Sequence, residues 1–169
     1  LVRTAIVNDT DDEGAHAFTL TATSTGSASA ATATATINDQ GAGTIFNADG
    51  SENTTAPKDD DRKLGVANIT VNEASPYAVF TVTGADGQLV KLSLTAGTAT
   101  LVDGTPATDG TEDFGPGLEY WNGTAWTTYA ADSYVAIPAG STTLLVRTAI
   151  VNDTDDEGAH AFTLTATST

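Results

Sequence analysis

The sequence has no cysteine, no methionine, 5 prolines, and only 6 lysines and arginines against 22 aspartates and glutamates. Without cysteine there is no disulfide framework, no thiolate zinc site and no iron–sulfur cluster. Packing, together with any hard cation held by oxygen, must stabilise the fold. Two histidines, His16 and His160, leave little for a transition-metal site. A net charge of −16 repels nucleic-acid phosphates and anionic lipid, since binding to either needs clustered Lys and Arg. Divalent cations are the natural partners of such a surface. No apolar run approaches the ~18 residues that span a membrane, and no charged, hydrophobic leader opens the chain at Leu1. The chain reads as an internal fragment. No stretch carries a useful 3.6-residue period, so no helix is expected.

Threonine, alanine, valine and glycine dominate what is present, and they alternate. Residues 1–7, 15–23, 28–37, 66–72, 78–83, 89–96, 134–137, 143–151 and 161–167 read as short strands separated by Gly, Asp, Asn or Pro. Many short strands at this spacing predict an all-β, antiparallel β-sandwich. Asn122-Gly123 between aromatic segments predicts a two-residue type I′ hairpin. In that register Trp121 opposes Thr124 and Glu119 opposes Trp126. Both tryptophans then share one face, and Leu118, Tyr120 and Tyr129 the other.

Residues 1–25, LVRTAIVNDTDDEGAHAFTLTATST, recur unchanged as residues 145–169. Self-similarity at a fixed period marks a tandem array; a deliberate duplication is the alternative source of an identical copy. As a window on an array, residues 1–39 are the closing strands of one unit. Residues 40–63 are an acidic linker rich in Gly, Asn and Asp, and residues 64–169 are the next unit without its last strand. Asp59, Asp60 and Asp61 read as a solvated connection within the linker. The incomplete ends present strand edges that invite pairing, so residues 1–39 are expected to donate strands to the sheet begun at Leu64, within one molecule or between molecules. Residues 1–25 and 145–169 then compete for one slot.

The loop Asn8, Asp9, Thr10, Asp11, Asp12, Glu13, Gly14, repeated as residues 152–158, carries the chemistry. Its carboxylates repel one another unless a cation sits among them, and Ca2+ accepts oxygens readily. The loop begins like an EF-hand, with Asp9, Asp11, Glu13 and Gly14 at relative positions 1, 3, 5 and 6. The required acid at position 12 falls on Leu20, and an EF-hand is rejected. Glu73 and Asp39 end predicted strands, and Glu112 and Asp113 lie in a loop. If these share one pole of a sandwich with the Asp153–Glu157 loop, a calcium site at the domain junction follows.

AIPAGSTTLLVRTAIVNDTDDEGAHAFTLTATST, completed by SASAATATATINDQ and preceded by VNEASPYAVFTVTGADG and GTAT, resembles the Calx-β motif, an Ig-like sandwich. The resemblance covers the chain apart from the linker and the aromatic segment 118–129. It implies Ca2+ ligands at Glu73, Asp113, Asp153, Glu157 and Asp39, with Asp9 and Glu13 as the earlier copies. Asp155 and Asp156 are adjacent candidates, as are Asp11 and Asp12 in the first copy. His160 stands where many members have a second acid, and the last strand ends in a single Asp, which implies fewer ions per junction. Repetition in an acidic, cysteine-free chain is similar to the extender repeats of large bacterial adhesins secreted by type I systems. That implies a calcium-stiffened spacer at the cell surface, with neighbouring repeats as partners and no catalysis. The other function weighed is a carbohydrate-binding module using Tyr120, Trp121, Trp126 and Tyr129 as a stacking platform beside Glu119.

Overall fold

Alternation of side chains decides where the strands fall. The computed structural model describes residues 1–26, 29–102, 111–154, 156 and 158–169. Among them all helix and strand elements are β: β1 (Ala15–Thr23), β2 (Ala30–Asn38), β3 (Gly65–Val66), β4 (Tyr77–Thr83), β5 (Leu89–Ala96), β6 (Glu119–Trp121), β7 (Trp126–Thr128), β8 (Val135–Ala136), β9 (Thr143–Ala149) and β10 (Phe162–Thr167). The chain divides into two compact units, residues 63–168 and residues 1–62 with Thr169.

In the larger unit, Ala78, Phe80 and Val82 of β4 are buried while their neighbours are not. Leu144, Val146 and Thr148 do the same in β9. This period of two is that of a sheet covered on one face. A five-stranded sheet runs β3-β4-β9-β6-β7, and a three-stranded sheet runs β10-β5-β8; every pairing is antiparallel. Phe80, Val82, Leu144 and Val146 of the first share one core with Val90, Leu92, Val135 and Leu164 of the second. The two sheets therefore face each other as in a β-sandwich. Buried polar side chains of this core find partners. The Tyr129 hydroxyl accepts from Leu92 N (3.0 Å) and donates to Ser133 O (2.7 Å), and Gln88 Oε1 accepts from Ala85 N (2.9 Å).

The smaller unit is built on a two-stranded ribbon in which β1 and β2 pair over nine residues, Ala15↔Asn38 to Thr23↔Ala30. The register puts Phe18, Leu20 and Ala22 opposite Ala35, Ala33 and Ala31 on one face. Thr19 and Thr21 meet Thr34 and Thr32 on the other. Residues 40–62 carry their own bridges, Gln40↔Asp60 and Phe46↔Glu52.

Identical sequence does not give identical structure. Residues 145–149 form most of β9, whereas residues 1–5 are in no strand, against the expectation for residues 1–7. Val146 is 0% exposed and its copy Val2 is 75% exposed. β9 is served on one edge by β4 and on the other by β6, and residues 1–7 have no such partners among the described pairings. An edge partner and cover of the apolar face both stabilise a strand. The strand expected at residues 66–72 stops at Val66, paired with Val82; beyond it only Ile69 packs on the core. The aromatic hairpin is also re-registered. Trp121 pairs with Trp126 and Glu119 with Thr128, around a four-residue loop in place of the two-residue turn. Asn122 Oδ1 accepts from Thr124 N and Ala125 N, both at 2.9 Å, and this Asx-type bonding lengthens the turn.

The repeat supplies an internal control. Leu164 is 6% exposed and Leu20, its copy, 49%. Leu164→Ala is expected to cost about 2–4 kcal/mol, and Leu20→Ala under about 1 kcal/mol. Urea denaturation followed by tryptophan fluorescence checks the first, because Trp121 and Trp126 both lie in the larger unit; far-UV circular dichroism checks the second.

Candidate metal centre

Backbone register gathers the acids of the smaller unit. Because β1 and β2 begin pairing at Ala15↔Asn38, the residues just outside that pair, Gly14 and Asp39, are brought together. Gly14 turns the chain into β1 with φ of 78°, a conformation natural to glycine. Glu13 N donates to Asp39 Oδ2 at 2.8 Å, and Asp11 N to Asp9 Oδ1 at 3.0 Å. At the end of β2, Asn38 Oδ1 accepts from Gln40 N at 2.9 Å and bends the chain. The Gln40↔Asp60 bridge and the Asp61 N to Asp39 O bond (3.3 Å) then return residues 59–61 beside Asp39.

Alternation sorts the three acids of that segment. Asp60 is buried and clamps Arg62 through two bonds, Nε to Oδ1 at 2.8 Å and Nη2 to Oδ2 at 2.5 Å. Asp59 and Asp61 join Asp39, and one carboxylate oxygen from each lies within 4.8 Å of the others. This is the one such trio among the described residues. Burial pushes the Asp59 carboxyl up, followed by the charges of Asp39, Asp9 and Asp60, against a lowering bond from Asn8. Burial likewise raises Asp61, then the charges of Asp59 and Asp39, a bond to the Asp39 carboxyl and the charge of Asp9. Asp61 Oδ2 is buried with no hydrogen-bond partner. Three carboxylates and an oxygen without a donor fit a hard cation such as Ca2+, which takes oxygen ligands only.

In the larger unit, Glu73 and Asp153 are joined beyond the end of β9, and Asp113 bonds the same segment through its backbone, but the three do not form such a trio. Asp153 N donates to Glu73 Oε1 at 2.9 Å, and Val151 N to Asp113 O at 3.0 Å. Asp113 is anchored by its neighbour Phe114, buried and stacked on Phe162 with centroids 4.4 Å apart. Asp113 Oδ2 accepts from Thr100 N at 2.6 Å, and Oδ1 lies 2.8 Å from His160 Nδ1. The first copy, His16, sits 3.6 Å from Glu13. Asp156 is exposed, as are Asp9, Asp11, Asp12 and Glu13 in the first copy. Asp155 and Glu157 lie outside the described residues. Asp39 belongs to the smaller unit, and Glu73, Asp113 and Asp153 to the larger.

The aromatic residues do not form one platform. Tyr129 is buried, and Tyr120 packs on the core from the inner face. Trp121 and Trp126 meet edge to face on the outer face, centroids 5.8 Å apart. The Arg147 guanidinium lies 4.2 Å from the Trp126 centroid and 3.8 Å from that of Tyr77, with Nε donating to Glu119 Oε2 at 2.7 Å.

Sequence reasoning missed two features. Asp59 and Asp61 read as solvated, because nothing local marks the return of the chain to Asp39. Arg147 was passed over because its partners Tyr77, Glu119 and Trp126 are distant in sequence.

The raised carboxyls fix the sign of a pH effect. A carboxyl raised in the fold contributes stability fully present below its ordinary value of 3.8, lost as pH rises through the raised value. Without divalent cation, the Asp59→Asn/Asp61→Asn double variant is therefore expected to melt above the parent at pH 7, the gap closing towards pH 3.8. Far-UV circular dichroism is the readout, since the smaller unit has neither tryptophan nor tyrosine. No protein-family model, curated protein or solved structure matches the chain.

Proposed function

We propose that this chain is a calcium-binding structural repeat, an Ig-like sandwich of Calx-β type serving as a spacer in a bacterial surface adhesin. The single observation behind this reading is the acidic loop of the repeated segment, which receives a carboxylate from elsewhere in both copies. Asp39 takes the backbone N–H of Glu13, and Glu73 that of Asp153. Clustered like charges destabilise a fold, and a cation held among them reverses the sign of their contribution. Asp39, Asp59 and Asp61 would hold such an ion in the smaller unit, and Glu73, Asp113 and Asp153 would supply oxygens in the larger. Bound ions would supply charge neutralisation and stiffness to the array. The proposed role is mechanical and extracellular, assigns no reaction to the chain, and takes neighbouring repeats as the partners.

A thermal melt of the full chain after chelation, with and without millimolar Ca2+, tests this. Calcium at 100 times its Kd is expected to add about 2.7 kcal/mol for one site. Asp39→Ala with Asp59→Ala abolishes the shift seen by circular dichroism, and Glu73→Ala with Asp153→Ala the shift seen by tryptophan fluorescence. No shift in the parent would leave these acids as solvated turns.

Carbohydrate binding is the second reading, supported by Trp121 and Trp126 lying half-buried on the outer face beside Glu119. A sugar stacking on Trp126 must compete with Arg147. A change in tryptophan fluorescence on titration with glycans supports it, and a flat titration with an intact melt removes it.

A further inference from the structure

Strand pairing assembles a polar pair beside an aromatic ring on the outer face of the five-stranded sheet. Arg147 of β9 stands opposite Val79 of β4 on one side and Glu119 of β6 on the other. One row along, Trp121 of β6 pairs with Trp126 of β7. Ala78, Val146 and Thr148, the sequence neighbours of Tyr77 and Arg147, are buried, so alternation turns Tyr77, Arg147, Glu119 and both tryptophans away from the core. The Arg147 guanidinium lies over the Tyr77 and Trp126 rings, 3.8 Å and 4.2 Å from their centroids, and Nε donates to Glu119 Oε2 at 2.7 Å. Side-chain exposures of 18% at Arg147 and 35% at Glu119 describe a pair packed against the sheet yet reachable from solvent.

Much of the hydrogen-bonding capacity of this pair is unused. Among the described residues no hydrogen bond reaches Nη1 or Nη2 of Arg147, or Oε1 of Glu119. The Nε–Oε2 bond sets these groups side by side, free donors next to a free acceptor, and the rings beneath the guanidinium hold its plane. Hydroxyls on adjacent carbons are the complement of that arrangement, since one accepts from Arg147 while its neighbour donates to Glu119. Trp121 supplies an apolar element. Its one ring contact among the described residues is the edge-to-face approach to Trp126, centroids 5.8 Å apart, whereas Arg147 covers part of Trp126. The Trp121 ring is therefore the one left to take the C–H face of a pyranose. Charge selects among sugars. Arg147 is already neutralised by Glu119, on a chain of net charge −16. A uronate would bring a carboxylate to a surface with no net positive charge to receive it, and an amino sugar would set an ammonium against the Arg147 donors.

We propose that Arg147, Glu119 and Trp121 form a binding site for a neutral hexopyranoside, held through a vicinal pair of hydroxyls by Arg147 Nη and Glu119 Oε1 and stacked on Trp121. The site rests on the carbohydrate-binding reading and needs no cation. Tyr77 and Trp126 are positioning residues, because they act on the sugar through the guanidinium they hold.

Tryptophan fluorescence of the full chain reads the site directly, because Trp121 and Trp126 are its only tryptophans. Titration with the methyl glycosides of glucose, galactose and mannose is expected to give a saturable change for at least one, with a Kd of about a millimolar. The corresponding uronic acid and amino sugar are expected to bind at least about tenfold more weakly. Among monodeoxy analogues of the bound sugar, the two that lack one or other of a pair of adjacent hydroxyls lose about tenfold, and the rest change little. Glu119→Gln keeps an acceptor for Arg147 Nε and turns the free acceptor into a donor; it is expected to weaken binding about tenfold at an unchanged melting temperature. The analogue series needs no variant and decides even where a variant fails to fold. Saturable binding in which no adjacent pair of hydroxyls stands out, or which a folded Glu119→Gln leaves unchanged, overturns this site while carbohydrate binding stands. Tighter binding of the uronic acid or the amino sugar overturns the neutral class. A flat titration with every sugar overturns the site and the carbohydrate reading together.

Discussion

Closure of two antiparallel sheets over Phe80, Val82, Val90, Leu144, Val146 and Leu164 is the interaction on which residues 63–168 depend. A strand here is stable because a neighbour takes its backbone groups and a facing sheet takes its apolar side chains. Where both conditions hold, short Thr- and Ala-rich segments suffice: β9, with partners on both edges, buries Val146 completely. Where neither holds, the same residues at positions 1–5 form no strand at all. Between these limits stands the β1–β2 ribbon, with nine paired residues but an uncovered apolar face. Local preference is therefore permissive throughout this chain; a paired neighbour decides whether a strand forms, and cover decides whether it is buried.

The same closure positions the acids. Phe114 inserts at the end of the larger core and bridges to Ile150, which carries Asp113 to the end of β9 near Asp153 and Glu73. In the smaller unit a backbone register does this work. Ala15↔Asn38 delivers Glu13 to Asp39, and the bridge from Gln40 delivers Asp59 and Asp61. Like charges converge because neutral backbone pairing brings them there, and at Asp59 and Asp61 burial first, then the neighbouring carboxylates, raises the carboxyl.

How much of this was legible in the sequence follows from the range of each signal. Period-two alternation is local, so β5 is read to its last residue and β2, β4, β9 and β10 to within two residues of their observed limits. The 1–7 strand failed because its partners, unlike its alternation, are absent from its surroundings. The aromatic hairpin was assigned the wrong register because Asn122 was weighed as a backbone turn former, whereas its side chain bonds Thr124 and Ala125. Its faces nonetheless survive, since Trp121 and Trp126 stay opposite one another in a four-residue loop. Among the acids, Glu73 and Asp39 were readable as strand-end residues, and Asp113 and Asp153 as residues of the loops between strands. Asp59 and Asp61 were not, because a return from residue 61 to residue 39 leaves no mark in either segment.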